Sequence, residues 1–328
     1  MREIIEKIWK ADEYDYKASY GFVPGIHGYI HDDDAFDGTA GRDCMIILPG
    51  GGYCLCAPHE GAPIAMEFYD KGMNAFVLTY TTDITMSVPL KRQPMEDVSR
   101  AVRYVRKNAA RFGIDGGKVI ICGFSAAGHV CGSLAVHYKD IKDPDPELEG
   151  ISNRPDGAIL SYPVISTGEY GHESSFEALL GKKATSEELK YFSLEKQVSP
   201  DTPPCFLWQT LPDELVPVEN SYIFADALRQ NGVPYAHYVF PSGIHGLGLC
   251  KEGVKTDGTY VMEQVERAVA AVKAGKGVNV SDTRCAELKE QFPGEDSGWG
   301  TENPHDLSDV GRDTGMWADL AYIWISRL

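Results

Sequence analysis

Residues 120–129 read Ile-Ile-Cys-Gly-Phe-Ser-Ala-Ala-Gly-His. An apolar run enters a turn of small residues and leaves into a helical pattern, with Ser125 at the bend. Such a turn admits only small neighbours. It lifts the serine hydroxyl above the strand end at a helix N-terminus, where the helix dipole favours negative charge. This is the G-x-S-x-G pattern of a nucleophilic serine, with Ala127 in place of the second glycine and Gly128 after it. The competing reading is a Gly/Ser-rich strand–helix turn without chemistry. Earlier, Pro49-Gly50-Gly51-Gly52-Tyr53 follows another apolar run. Successive glycines let backbone N–H groups converge on one point, because no Cβ intrudes. Such donors can hold an oxyanion, each worth about 3 kcal/mol at the transition state. A phosphate-binding turn would continue into Gly-Lys-Ser/Thr, and this one does not. Further on, Asp213 and His245 each lie in a loop after an apolar run. A serine, an imidazole base and an acid that orients it can together perform acyl transfer. Glu214 and Glu219 are rival acids, and spacing alone does not separate them from Asp213.

These residues need a scaffold that brings loops together. Apolar runs at 43–49, 74–80, 118–124, 158–164, 205–209 and 235–240 read as strands, several apolar throughout, as strands covered on both faces are. Between them lie helical patterns. The clearest spans 95–112, where Val98, Ala101, Val102, Val105, Ala109 and Phe112 form one stripe and Gly113 stands ready to cap it. Others fall at 221–230, 262–273 and 317–328. Alternating strands and helices predict an α/β fold, an open and mostly parallel sheet with helices on both faces. In such sheets ligands bind at the carboxyl ends of strands, where Ser125, Asp213, His245 and the glycine run all fall. The chain reads as one domain over 1–328. The stretch 165–204, with a helical fragment at 186–192, is expected to arch over the sheet as a small cap. The stretch 251–315 is an insertion before the last helix, and its 293–315 part is a candidate cover for the pocket or for a partner subunit.

The order Ser125, Asp213, His245 is that of α/β-hydrolases. The chain resembles the bacterial acetyl-esterase and xylan-esterase-like α/β-hydrolases, on the hormone-sensitive-lipase-like branch. The resemblance is carried by PGGGY at Pro49–Tyr53 with Glu60 and Pro63, by Pro94, Asp97, Ala101 and Tyr104-Val105-Arg106, and by GFSAAGH at Gly123–His129. It continues through Pro203-Pro204-Cys205-Phe206-Leu207-Trp208, Asp213-Glu214-Leu215-Val216-Pro217 and HGLGL at His245–Leu249. Residues 43–250 and the closing helix are covered. Pro49 stands where lipases and esterases usually have the histidine of an HGGG element. The resemblance implies Ser125 as nucleophile, His245 as base and Asp213 as the orienting acid. It places the oxyanion hole at the N–H groups of Gly51, Gly52 and Ala126. It implies a serine carboxylesterase acting on short acyl esters, acetyl above all, of small alcohols or sugars. Ala127, and the roughly 60 residues between His245 and the last helix, depart from the pattern and leave the pocket rim undefined.

The charge balance limits the partners. Lysine and arginine number 31 against 48 aspartates and glutamates, a net charge of −17. So acidic a surface disfavours nucleic acid and anionic membranes. No apolar run reaches the roughly 18 residues of a membrane span. Arg2, Glu3, Glu6 and Lys7 interrupt any secretory h-region, so the chain and its eight cysteines read as cytoplasmic and reduced. Cys54-x-Cys56-x-x-His59 lacks the second ligand pair that structural zinc needs, so no metal is expected. Tyr53, Cys56 and Glu60 are instead expected to line the pocket and touch substrate. The cluster Asp32-Asp33-Asp34 with Asp37 reads as a solvated acidic loop. No cofactor is implied, because serine, histidine and backbone donors suffice. A homo-oligomer is left open. So are an amidase, peptidase or arylformamidase on the same scaffold, and a binding protein that has lost catalysis.

Overall fold

A computed structural model describes residues 1–10, 12–32, 41–114, 116–251, 258–293, 305–308 and 310–328. The chain opens with β1 (Arg2–Lys7) and β2 (Gly25–Ile30). Next come β3 (Cys44–Leu48), α1 (Ala62–Asp70), β4 (Asn74–Thr79), α2 (Gln93–Lys107), the short α3 (Ala109–Phe112), β5 (Val119–Phe124) and α4 (Ala126–His137). The short α5 (Pro146–Glu149), β6 (Gly157–Ser161), α6 (Glu173–Leu180), α7 (Ser186–Tyr191), β7 (Cys205–Thr210) and α8 (Glu219–Gln230) follow. The chain ends with β8 (Tyr235–Phe240), α9 (Glu263–Lys273), α10 (Asp282–Gln291) and α11 (Trp317–Ile325).

The strands form one sheet in the order β1-β2-β4-β3-β5-β6-β7-β8. β2 pairs antiparallel with β1 and β4, and the remaining pairs are parallel. The open, mostly parallel sheet is therefore as expected, and the six expected strands are β3 to β8. Every residue of β3 to β7 is buried, which explains their unbroken apolar runs. Alternate residues of β5 face different helices. A Cβ on Gly123 would meet Cys131 of α4, whereas Phe124 packs edge-on against Trp317 of α11. Both faces are thus covered.

The crossovers run outward from β3 to β4 and then back past β3 to β5, so the chain changes direction between β3 and β5. The crevice beyond their carboxyl ends is where an open α/β sheet offers a ligand site. The loop after β3 is the glycine run, and the turn after β5 carries Ser125.

The structure adds detail to three expectations. The helix expected over 95–112 breaks at Asn108 into α2 and α3, although Gly113 does cap it in the left-handed region at φ 65. The segment 165–204 is expected to form a small cap. Its residues 191–192 are anchored on α4, where buried His129 and His137 hold the carbonyls of Phe192 and Tyr191 through Nε2 at 2.8 and 3.0 Å. On its other side Leu90 and Lys91 donate backbone N–H groups to Ala178 and Leu179. The insertion 251–315 holds a second helix, α10, besides the expected α9. Asp33, Asp34 and Asp37 of the acidic cluster lie outside the described residues, as do 294–304 and 309 of the candidate cover. Among the described residues no helix is long and apolar enough to cross a membrane. All eight cysteines are free thiols.

Candidate active site

Ser125 sits between the last residue of β5 and the first of α4, at φ 55 and ψ −120. A non-glycine residue there stores strain of about 1–3 kcal/mol, which the surrounding contacts must hold. Ser125 N–H donates to Ser161 O at 2.9 Å, and Val164 N–H donates to Ser125 O at 3.2 Å. The glycines of the turn follow from close approach. A Cβ on Gly123 would stand 2.2 Å from Ala127 O, and one on Gly128 would stand 2.8 Å from Pro163 Cβ. The methyl of Ala127 is fully buried without such a demand. The departure from G-x-S-x-G therefore leaves the turn intact.

The loop after β8 brings His245 over this turn. Its Nε2 is 2.7 Å from Ser125 Oγ, and its Nδ1 is 2.7 Å from Asp213 Oδ2. A carboxylate only accepts, so Nδ1 carries the proton and Nε2 is left to accept from the serine. Asp213 Oδ1 takes the N–H groups of Leu215 and Val216 at 3.0 and 2.9 Å. Its side chain is wholly buried. Glu214 lies in the cavity wall and Glu219 in the first turn of α8. Of the three candidate acids, Asp213 is the one hydrogen-bonded to the imidazole.

The glycine run curls back on itself. Cys54 and Leu55 donate their N–H groups to Gly51 O, and Ala57 donates to Gly50 O. Gly51 and Gly52 have φ +135 and +63, and with Ser125 they line one cavity. The N–H groups of Gly51, Gly52 and Ala126 donate to no acceptor among the described residues. The curl also overturns two expectations. Tyr53 is 1% exposed, and its hydroxyl is spent on His129 Nδ1 at 2.7 Å. Cys56 is equally buried, and burial pushes its thiol well above the usual range. Neither reaches the cavity, because the turn directs both into the core and presents Leu55 and Ala57 instead. Glu60 does border the cavity but is almost wholly buried, with its oxygens taken by Gly50 N–H and the Tyr162 hydroxyl. Trp208 is core, stacked on Trp317 at 5.1 Å.

The cavity measures about 1100 Å³. Sequence reading did not single out several residues of this region, among them His172, His305, Asp306, Ser308 and Tyr162. His172 is the one residue that the segment 165–204 contributes to the wall. Burial, and secondarily the neighbouring His245, hold its pKa below the ordinary histidine value. His305, Asp306 and Ser308 come from the insertion and line the cavity wall. Tyr162 sets its ring edge-on to His245 at 5.0 Å. Each is a single polar or aromatic residue in a loop, and no spacing marks it.

A family model described as BD-FAE matches residues 37–228, more than half of the chain. Endo-1,4-beta-xylanase B of Butyrivibrio fibrisolvens is 60% identical over 275 residues, 83% of this chain and 42% of that protein. The acetylxylan esterase of Xylanibacter ruminicola is 31% identical over 222 residues, 65% of this chain and 42% of that protein. The chain spans about two-fifths of the length of these curated relatives, at 42% of each. Among solved structures, an acetyl ester-xyloside bifunctional hydrolase from Caldicellulosiruptor lactoaceticus aligns with a TM-score of 0.69 at 36% identity, covering 84% of this chain and 98% of that one. The chain belongs to the BD-FAE family and has the α/β-hydrolase fold.

Proposed function

We propose that this chain is a serine carboxylic ester hydrolase that removes short acyl groups, acetyl above all, from sugars or small alcohols. One observation carries the reading. The hydrogen-bonded line Ser125–His245–Asp213 ends on the cavity that also receives the uncommitted N–H groups of the glycine run. Relatives named acetylxylan esterase and acetyl ester-xyloside hydrolase support the acyl and alcohol classes.

In this mechanism Ser125 Oγ attacks the ester carbonyl carbon as His245 Nε2 takes its proton. The carbonyl oxygen becomes an oxyanion held by the N–H groups of Ala126 and of Gly51 and Gly52. Asp213 stabilises the imidazolium without taking its proton. The carbon–oxygen bond to the alcohol breaks, and His245 returns the proton to the departing oxygen. Water then enters and loses a proton to His245 as its oxygen bonds to the acyl carbon, and the bond to Ser125 breaks as His245 returns that proton to Oγ. No metal or organic cofactor takes part in these steps.

A relative named xylanase raises glycoside hydrolysis as a second reading. That chemistry needs two carboxyl groups flanking the scissile bond. Here the imidazole bridges a serine hydroxyl and a carboxylate, each at 2.7 Å. Asp213 is sealed by its own hydrogen bonds and Glu60 is 2% exposed, while the exposed carboxylates of the wall, Glu214 and Asp306, take no part in the hydrogen-bonded line Ser125–His245–Asp213. The ester reading is therefore the better supported. The test is hydrolysis of p-nitrophenyl acetate, butyrate and octanoate, with Ser125→Ala beside the native chain and labelling by a fluorophosphonate. Acetate fastest, with loss of turnover and label in the variant, is the expected result. Turnover that survives Ser125→Ala would remove the serine from the chemistry.

A further inference from the structure

Glu60 ends the 3-10 turn Pro58–Glu60 that follows the glycine run. It is 2% exposed, and both of its oxygens are engaged. Oε2 accepts the Gly50 N–H at 2.7 Å, and Oε1 accepts the Tyr162 hydroxyl proton at 2.5 Å. The Tyr162 oxygen in turn accepts the N–H of Gly248 at 3.0 Å, in the loop that carries His245. The neighbouring His59 approaches the same loop, with Nε2 2.9 Å from Gly246 O. One turn thus ties together the glycine run, the end of β6 and the histidine loop, which lie far apart in sequence.

Gly50 is pressed against the nucleophile. A Cβ on it would come within 3.0 Å of Ser125 Cβ and 2.6 Å of Phe124 O. Gly50 N–H is spent on Glu60, so the oxyanion donors are the next two N–H groups, and their placement depends on how Gly50 is held. A buried carboxylate is a costly way to fill space. An apolar side chain would pack there but would leave Gly50 N–H and the Tyr162 hydroxyl unpaired. Charge-assisted hydrogen bonds to a carboxylate are short and directional, which suits a group that fixes geometry. With both oxygens occupied, Glu60 has little capacity left for a substrate.

We propose that Glu60 and Tyr162 are positioning residues that lock the glycine run to the histidine loop, so that oxyanion donors and base keep one geometry around Ser125. The proposal rests on the ester-hydrolase reading. It takes Glu60 and Tyr162 as acting through Gly50 and Gly248, not through contact with the reacting atoms.

The test compares native chain, Glu60→Ala, Glu60→Gln and Tyr162→Phe. It reads kcat and KM for p-nitrophenyl acetate, the inhibition constant of phenylboronic acid, and thermal midpoints. The boronate forms a tetrahedral adduct on a serine and so reports the oxyanion geometry. Glu60→Ala should lose about 10²–10³ in kcat, as loss of an oxyanion donor does, with KM nearly unchanged and boronate affinity falling in step. Glu60→Gln keeps an acceptor for Gly50 N–H and should restore activity to within about tenfold of native. Tyr162→Phe keeps the ring beside His245 and should lose about tenfold in kcat. Should Glu60→Ala fail to fold, the other two variants decide. Native kcat in both Glu60→Gln and Tyr162→Phe overturns the proposal. So does a raised KM with native kcat, which would make Glu60 a substrate ligand. A native chain inert toward both ester and fluorophosphonate would instead overturn the ester-hydrolase reading beneath it.

Discussion

Asp213 and His245 are joined at 2.7 Å through Oδ2 and Nδ1, while the other Asp213 oxygen is pinned by two backbone N–H groups of its own loop. The carboxylate cannot rotate without losing those donors, so the imidazole is held in one tautomer and one orientation. Asp213→Asn would offer His245 a donor in place of an acceptor and favour the wrong tautomer. A fall of about 10⁴ in kcat is expected, with the fold retained. Glu214→Ala, one residue on, should leave kcat within about threefold, because Glu214 borders the cavity without bonding the imidazole. Steady-state kinetics on one activated ester checks both. Equal losses would mean that Glu214 shares the role.

Gly51 and Gly52 are adjacent and both have positive φ, yet they should respond differently to a methyl group. On Gly51 a Cβ would stand 2.4 Å from Leu55 O, a backbone atom that cannot give way. On Gly52 the nearest atom is Ser175 Oγ at 3.9 Å. Gly52→Ala should therefore cost about 1 kcal/mol, the price of a left-handed non-glycine residue. Gly51→Ala must distort the loop itself. The expected result is a collapse of kcat in Gly51→Ala and a modest loss in Gly52→Ala, with thermal midpoints falling in the same order. The reverse order would show that Gly51 is free to relax.

Most of the fold and of the candidate site was legible in the sequence because the same physics constrains residues and geometry. β3 to β7 are covered on both faces, so their apolar runs could not hide. The turn at Ser125 excludes side chains, so its glycines had to show. The N-terminal strands escaped notice for the opposite reason. β1 is a solvent-facing edge reading Arg-Glu-Ile-Ile-Glu-Lys, and β2 carries two glycines and a histidine. Gly28 is required there, since a Cβ would meet Ile4 and the Phe76 ring at 2.8 Å, but a glycine weakens any strand signal. Tyr53 and Cys56 were misread because proximity in sequence to the glycine run was taken for proximity to substrate. The curl that Gly51 permits turns them inward. His172 and His305 gave no signal, since tertiary folding alone brings such isolated residues to the cavity.

His129 makes stability pH-dependent. It is fully buried, with Nε2 beside Phe192 O and Nδ1 beside the Tyr53 hydroxyl. Burial lowers its pKa from 6.5 to about 4. The unfolded chain therefore binds a proton near pH 6.5 that the folded chain refuses until about pH 4. Stability is whole above the unfolded value, falls as the pH drops through that window, and levels off below it. The loss from this one residue is about 3 kcal/mol. His137, His172, His237 and His305 are also lowered by burial and add to the slope in the same direction. Urea midpoints measured from pH 7.5 to 4 in the native chain and in His129→Gln should show a shallower decline in the variant. Parallel curves would remove His129 as the source.

The cavity is far larger than an acetyl group, at about 1100 Å³, and its insertion side is polar. His305, Asp306 and Ser308 face it, and the strand of chain that carries them is tied down where Gly311 N–H meets Ser242 Oγ at 2.8 Å. If the alcohol is a sugar, its hydroxyls need acceptors, and Asp306 is an exposed carboxylate in the right wall. The p-nitrophenyl group of an activated ester carries no hydroxyl to donate to it. Asp306→Ala should therefore raise KM for acetylated xylo-oligosaccharides about tenfold, the worth of one hydrogen bond to a charged group. It should leave kcat/KM for p-nitrophenyl acetate within about twofold. Asp306 also accepts the Ser308 N–H at 2.9 Å, so Asp306→Asn, which keeps that turn, separates the two roles. A loss confined to the oligosaccharide in both variants would assign Asp306 to the leaving-group side. An equal loss on both esters, relieved by asparagine, would reduce the residue to a support for the loop and leave the sugar to be bound by other groups of the wall.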